Sequence, residues 1–104
     1  MTAYRLGPAA DYQLDQIYDY TADRWGDDQA DRYIQALFDY FGKVAAKTIA
    51  WRSIPAEFEV DGYVGKFEHH FVYWKQLKGG NIAIVAVFHE RMHQIDRLRD
   101  LFAG

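Results

Sequence analysis

All four histidines of the chain fall in the stretch 69–93. The last two frame His89-Glu90-Arg91-Met92-His93, a match to H-E-x-x-H. On a helix that spacing puts two imidazoles one turn apart on one face, with the glutamate beside them as general base. This is the arrangement of zinc peptidases. The chemistry therefore requires a helix, and the preceding residues argue against one. Ile82–Phe88 reads as a strand that runs directly into His89. No third ligand follows at a familiar spacing, since Asp96 and Asp100 read better as helix surface. The motif is expected to be a strand exit, with neither a metal nor another cofactor.

His69 and His70 sit where the chain enters the next candidate element. Successive strand residues point to opposite faces, so these two are expected to diverge, one packed and one exposed. A histidine here could also serve in acid/base chemistry or contact a phosphate. Lys66, His70, Tyr73, Lys75, Arg91 and His93 could share one surface at an open end of the sheet. A metal-free ribonuclease needs such a set to hold phosphates and move protons, with Lys66, His70, Tyr73 and Arg91 as the candidates. The plainer reading is scattered basic residues that keep an edge strand soluble. Trp25, Trp51 and Trp74 read as core or interface anchors. No glycine-rich phosphate loop or nucleophilic serine constellation stands out.

The elements that must position these groups are legible in order. Tyr4-Arg5-Leu6 reads as a brief strand stopped by Gly7-Pro8, and Pro8 suits the first turn of a helix. Leu14, Ile17, Tyr18, Thr21 and Trp25 then fall at helical spacing, and Asp11, Asp15, Asp19 and Asp23 form a solvated stripe. Gly26 is a left-handed stop. Asp27-Asp28 can cap a second helix whose apolar face carries Tyr33, Phe38 and Phe41. So short a joint predicts an antiparallel helical hairpin. Residues 47–62 read as an ordered connector with a helical turn near Ala56. Tyr63–Phe67 reads as a strand leading into a β-hairpin, His70–Leu77 and Ile82–Phe88 about the turn Lys78-Gly79-Gly80-Asn81. Neither hairpin strand alternates cleanly, so both faces are expected to be partly covered. Ile95, Leu98, Leu101 and Phe102 fit a short C-terminal helix. The expected fold is α+β, with an N-terminal helical hairpin on a twisted, mainly antiparallel sheet of three to four strands. The other face is expected to be concave and partly open, or closed by the C-terminal helix or a partner.

A chain of 104 residues that is 50% hydrophobic and 17% aromatic forms one folded domain (1–104) rather than a disordered segment. It holds no cysteine, which excludes disulfides, thiolate metal sites and cysteine nucleophiles. No apolar run is long enough to span a membrane, and the first residues lack the pattern of a signal peptide. A cytoplasmic protein is expected. Net charge is −3 and unevenly placed, because eleven of the 15 acidic residues lie before Tyr63 while the 12 basic residues divide equally. The later part would meet an anionic partner better, although the surplus is too small to imply sequence-specific DNA binding by the chain alone.

Several pieces in this order carry a resemblance: Tyr4-Arg5-Leu6-x-Pro-Ala-Ala, Ile17-Tyr18-Asp19-Tyr20-Thr21, Arg24-Trp25-Gly26, Gln29-Ala30-x-x-Tyr33, His70-Phe71-Val72-Tyr73 and Val87-Phe88-His89-Glu90-Arg91-Met92. The chain resembles the ParE branch of the RelE/ParE toxin superfamily, the plasmid-stabilisation toxins of bacterial toxin–antitoxin modules. The resemblance runs from Tyr4 to about Leu101. It implies a helical hairpin against a twisted sheet, and a ParD-like antitoxin whose disordered tail folds over the toxin, seated on the open face of the sheet. It also implies a non-catalytic toxin that poisons DNA gyrase; RelE-type relatives instead cut mRNA on the ribosome. A binding module that keeps antitoxin recognition without toxicity is a third reading. Lys66, His69, Lys75, His89, Arg91, His93 and Arg97 are the candidates for contact with antitoxin or target. Self-association and a hetero-oligomer with the antitoxin both remain open. The chain departs from the family pattern in its connector, Ala50–Phe58, and in Val64-Gly65-Lys66, where relatives often carry arginine. Both departures bear on target specificity.

Overall fold

In the computed structural model, which describes residues 4–92 and 95–103, a strand β1 (Tyr4–Leu6) leads into helices α1 (Pro8–Trp25) and α2 (Asp27–Ala45). Strands β2 (Arg52–Ser53), β3 (Tyr63–Phe67), β4 (His70–Gln76) and β5 (Ile82–His89) follow, and helix α3 (Ile95–Ala103) comes last. Pro8 occupies the first turn of α1, where no donor is needed. Gly26 ends α1 and begins α2 at once: its N–H donates to the Ala22 carbonyl and its own carbonyl accepts from Ala30 N–H. Its φ of 92° is a left-handed value that glycine adopts without a Cβ penalty. Asp27 and Asp28 do not cap α2 with their side chains, as the sequence suggested. They lie inside its first turn, where their charge meets the positive end of the helix dipole.

The sheet has five strands in the order β1-β5-β4-β3-β2, against the three or four expected. The extra strand is Arg52–Ser53, paired antiparallel with Val64 and Tyr63. A two-residue strand has no periodicity to detect; it forms because the connector is anchored on both sides. Trp51 donates its indole N–H to the Val44 carbonyl at 2.9 Å, and Ile54 N–H reaches the Gly62 carbonyl at 3.0 Å. The helical turn expected near Ala56 is a 3-10 turn over Ala56–Phe58. β1 lies parallel to β5, while the other pairings are antiparallel.

The β4–β5 register explains why neither strand alternates. Tyr73 pairs with Ala86 but Trp74 pairs with Ile84, which leaves Val85 as an extra residue on β5. Such a bulge reverses the face on which later side chains appear. Ile82, Ile84 and Val87 therefore all pack toward the helices, with Val72 and Trp74 of β4 and Leu37, Phe41 and Val44 of α2. Ala86 and Phe88 turn to the other face, where Leu98 of α3 and Ile54 meet them. Phe58, Leu101 and Phe102 pack on the same second cluster. The face away from the helical hairpin is thus largely closed by α3 and the connector, leaving an apolar cavity of about 290 Å³ beneath them.

Trp74 is the largest fully buried side chain and stands at the centre of the first core. Trp51 meets it edge-on and Tyr63 stacks beside it, at centroid distances of 6.0 and 6.4 Å. Gly65 makes room for it, since a Cβ there would collide with Tyr40 Oη and fall 3.1 Å from the indole ring. Truncating Trp74 removes this packing and leaves a cavity. Trp74→Ala should therefore destabilise the protein by about 3–5 kcal/mol in urea denaturation; a loss below about 1 kcal/mol would be incompatible with its place in the core.

Candidate functional site

β5 has a strand neighbour on its outer side only at Ile82–Ile84, where β1 lies. Farther along, Gln13 of α1 reaches into that edge and its Oε1 accepts the Val87 N–H at 2.6 Å. Gln13 is the one polar residue among the buried residues of the described structure. Its side chain supplies the acceptor that a longer β1 would have provided. Beyond this point α1 and the end of β5 diverge and enclose a groove of about 800 Å³. One wall is the row Tyr12, Gln16 and Tyr20 of α1, with Trp25 at its end; the other is His89, Arg91, Met92 and, from α3, Arg97. Tyr33, His69 and His70 also line it.

His70 points toward the helices. Its Nδ1 lies 2.7 Å from the Tyr33 hydroxyl, and burial lowers its pKa from 6.5 to about 4. Burial also pushes the Tyr33 phenol up to about 12. Both groups are therefore neutral at pH 7, and the geometry suits a phenol that donates to Nδ1. The His89 ring meets His70 edge-on at 5.3 Å. His69, in the turn before β4, is mostly exposed and turns outward to Glu90. One of the two is packed and the other exposed, as expected, but they do not part company: both rings flank His89, at centroid distances of 6.5 and 5.3 Å, and both line the groove.

Glu90 directly follows the last residue of β5, so the H-E-x-x-H match begins at a strand end, and His93 lies outside the described residues. The glutamate is already engaged. Its Oε1 accepts from Lys66 Nζ at 2.9 Å and its Oε2 is 2.7 Å from His69 Nδ1. These two hydrogen bonds, that from Lys66 first, hold the carboxyl at a pKa of about 2. The Glu90 N–H also donates to the His69 carbonyl, so the contact ties the β3–β4 turn to the end of β5.

The ribonuclease candidates do not converge. Lys66 and Tyr73 lie on the face covered by α3, Lys66 above the Phe71 ring and Tyr73 against Phe88. His70 lies on the opposite face with Tyr33. Arg91 lines the groove, beside His89, whose Nδ1 accepts its backbone N–H at 3.2 Å. Lys75 pairs with Ala83 near the other end of the hairpin, about 17 Å along the strand from His70 at roughly 3.3 Å per residue. Of the proposed contact residues, the groove gathers His69, His89, Arg91 and Arg97; Lys66 is paired outside it and Lys75 is remote. The sequence reading missed Tyr12, Gln13, Gln16 and Tyr20. The i, i+4 recurrence of Tyr12, Gln16 and Tyr20 beside the aspartate stripe was the available signal for three of them, masked because they fall off the apolar positions that define the packed side of α1; the buried Gln13 carried no such signal.

An α+β domain, its sheet covered by the helical hairpin on one face and by α3 on the other, with a groove rather than a convergent catalytic set as a concave feature, is the class that this geometry defines. The architecture matches a chain of a solved structure, "Chromosomal ParDE TA system from P. aeruginosa", with a TM-score of 0.66 at 20% identity, over 86% of this chain and 96% of that one. A family model described as "ParE toxin of type II toxin-antitoxin system, parDE" matches residues 4–94. Toxin ParE of Escherichia coli is 34% identical over the whole of both chains. Toxin ParE1 of Mycobacterium tuberculosis is 34% identical over 90% of this chain and 94% of its own. The chain belongs to the ParE toxin family of type II toxin–antitoxin systems.

Two expectations follow from the groove floor. Gln13→Leu keeps a side chain of similar size but leaves the Val87 N–H buried and unpaired. It should cost about 1–3 kcal/mol in denaturant unfolding, and an unchanged midpoint would contradict the pairing. His70 has a depressed pKa in the folded chain, so between pH 6.5 and about 4 the unfolded chain takes up the proton more readily. Its contribution to stability is complete above pH 6.5 and falls as the pH drops toward 4. Glu90, depressed from 4.5 to about 2, acts mainly below that window. Unfolding midpoints measured across pH 4–7 should decline more steeply for wild type than for His70→Asn, and parallel curves would remove His70 as the cause.

Proposed function

We propose that this ParE-family chain is a non-catalytic growth inhibitor that binds DNA gyrase and is held inactive by a ParD-like antitoxin. The observation that carries the non-catalytic reading is the separation of the would-be nuclease residues. Phosphoryl transfer chemistry without a metal needs a proton-transfer group and cations within reach of one phosphate. Here Lys66 and Tyr73 face one side of the sheet and His70 the other. His70 is neutral with Nδ1 occupied, and Lys66 is neutralised by Glu90. Proteins that lack a reaction centre inhibit by occupying a surface of their target, and family membership supports gyrase as that target. The structural relative belongs to a ParDE system, which supports an antitoxin as the second partner.

The test is direct. Purified protein should inhibit supercoiling by purified gyrase, and stoichiometric ParD-like antitoxin should restore it. Lys66→Ala/Arg91→Ala should produce no change in mRNA integrity, because wild type should cleave none. Untouched supercoiling at large molar excess would refute the gyrase target. New cleavages in translated mRNA, mapped by primer extension and abolished by that double change, would replace this reading with a ribonuclease.

A further inference from the structure

At the turn end of the β4–β5 hairpin the pairings line up three residues from three strands. Arg5 of β1 pairs with Ala83 of β5, and Ala83 pairs in turn with Lys75 of β4. Their chain neighbours Tyr4, Leu6, Ile82, Ile84 and Trp74 all pack in the core beneath the helical hairpin. Alternation therefore turns Arg5, Ala83 and Lys75 to the other face of the sheet. The cluster that α3 covers on that face takes in Tyr73, Ala86 and Phe88, and neither Ala83 nor Lys75 belongs to it. Arg5 is exposed, Lys75 is partly exposed, and the small Ala83 between them leaves the row unobstructed. Lys78, in the turn after β4, adds an exposed cation at the same end.

The strands fix how far apart these charges stand. Adjacent strands lie about 4.8 Å apart, so the Arg5 and Lys75 backbones are separated by roughly 10 Å. A duplex carries one phosphate per about 3.4 Å of axis on each strand, so that separation spans about three phosphates. Among the described residues no carboxylate forms an ion pair with Arg5, Lys75 or Lys78. No apolar anchor accompanies them either. The large apolar side chains that stand exposed among the described residues lie on α1, at the β5 exit and at the start of α3. Protein interfaces are held by buried aromatic and aliphatic anchors, whereas a phosphate backbone is held through charge and hydrogen bonds. The helical layer on the opposite side repels a polyanion, with Asp11, Asp15, Asp19 and Asp23 exposed along α1. A phosphate backbone can therefore approach the row and not the helices.

We infer that the row of Arg5 and Lys75, extended by Lys78, contacts the phosphate backbone of the DNA that gyrase holds. This role rests on the gyrase target proposed above and adds a second point of contact to it. Three cations are too few to hold free DNA firmly at physiological salt, since non-specific affinity grows with each phosphate neutralised. They suffice once gyrase has brought a duplex against the toxin, because the second contact is then intramolecular. Such a contact carries no sequence information, since it reaches phosphates and no base edge.

Binding of the wild-type chain to purified gyrase, measured with and without a linear duplex, tests the contact. The duplex should tighten wild-type binding at least tenfold. Arg5→Glu/Lys75→Glu should lose that gain, bind gyrase alone like wild type, and inhibit supercoiling at least tenfold more weakly. Its binding to the gyrase–duplex complex should also depend less steeply on salt, by about two in the log–log slope. Thermal unfolding should not change. Arg5→Gln/Lys75→Gln, which puts no acid on the sheet, should give a smaller loss in the same direction. Lys43→Glu, exposed on the helical layer, should behave like wild type. A duplex gain that is absent from wild type, or that survives both row variants, would overturn the contact and leave the gyrase target intact. An equal loss of affinity with and without duplex would make an acidic surface of gyrase the occupant and overturn DNA as the ligand. No binding of wild type to gyrase in either state would overturn both the target and the contact.

Discussion

β5 has to bury apolar side chains on two faces with a single short strand, and the structure is arranged around how it does so. One extra residue, Val85, changes the side on which the strand presents its later side chains. Before the bulge Ile82 and Ile84 meet the helices; after it Ala86 and Phe88 meet α3 while Val87 turns back to the helices. Without that reversal Ala86 and Phe88 would follow Ile84 onto the helix face, and α3 would lose the surface on which Leu98 packs. The helical hairpin, the anchored connector and the C-terminal helix are the covers that this arrangement requires.

The same constraint creates the groove. β1 runs beside only the first half of β5, so an edge is left that would expose backbone groups. α1 closes it once, with Gln13, and then leaves the sheet toward Gly26. Past Gln13 the strand end, the Tyr33–His70 pair and the aromatic row of α1 enclose space instead of filling it. Glu90 keeps this end of the sheet in register by joining Lys66 and His69 across two turns. Through that contact Lys66 is committed to structure, and the cationic character of the groove falls to Arg91 and Arg97.

The strand exit at His89 shows how far pattern and context can correct each other. H-E-x-x-H by itself suggests a metal helix, but the apolar β-branched run before it reads as a strand, and a strand is what forms. The difference in burial between His69 and His70 matched the expectation for another reason: His69 lies in the β3–β4 turn and stays exposed, while His70 opens β4. The convergence of Lys66, His70, Tyr73 and Arg91 was not local. Which side of the sheet each residue faces depends on pairings between β3, β4 and β5, and on the bulge, and these separate the set. Tyr12 and Tyr20 were passed over because periodicity identifies the packed side of a helix, whereas the groove is built from the side next to it.

From its sequence alone the chain was readable as an α+β domain of ParE-like order, with Pro8 and Gly26 bounding the first helix and Gly79 and Gly80 reversing the hairpin. These features arise from backbone preference and hydrophobic period, which act over a few residues. Tertiary structure decided the parallel docking of β1, the two-residue strand at Arg52–Ser53, the bulge at Val85, and the covering of the second face by α3. It also decided that His70 is neutral and that Arg91 and Arg97, from a strand exit and a separate helix, share one groove. Each of these depends on burial and contact between segments distant in the chain, and such contacts leave no periodic trace in the residues that make them.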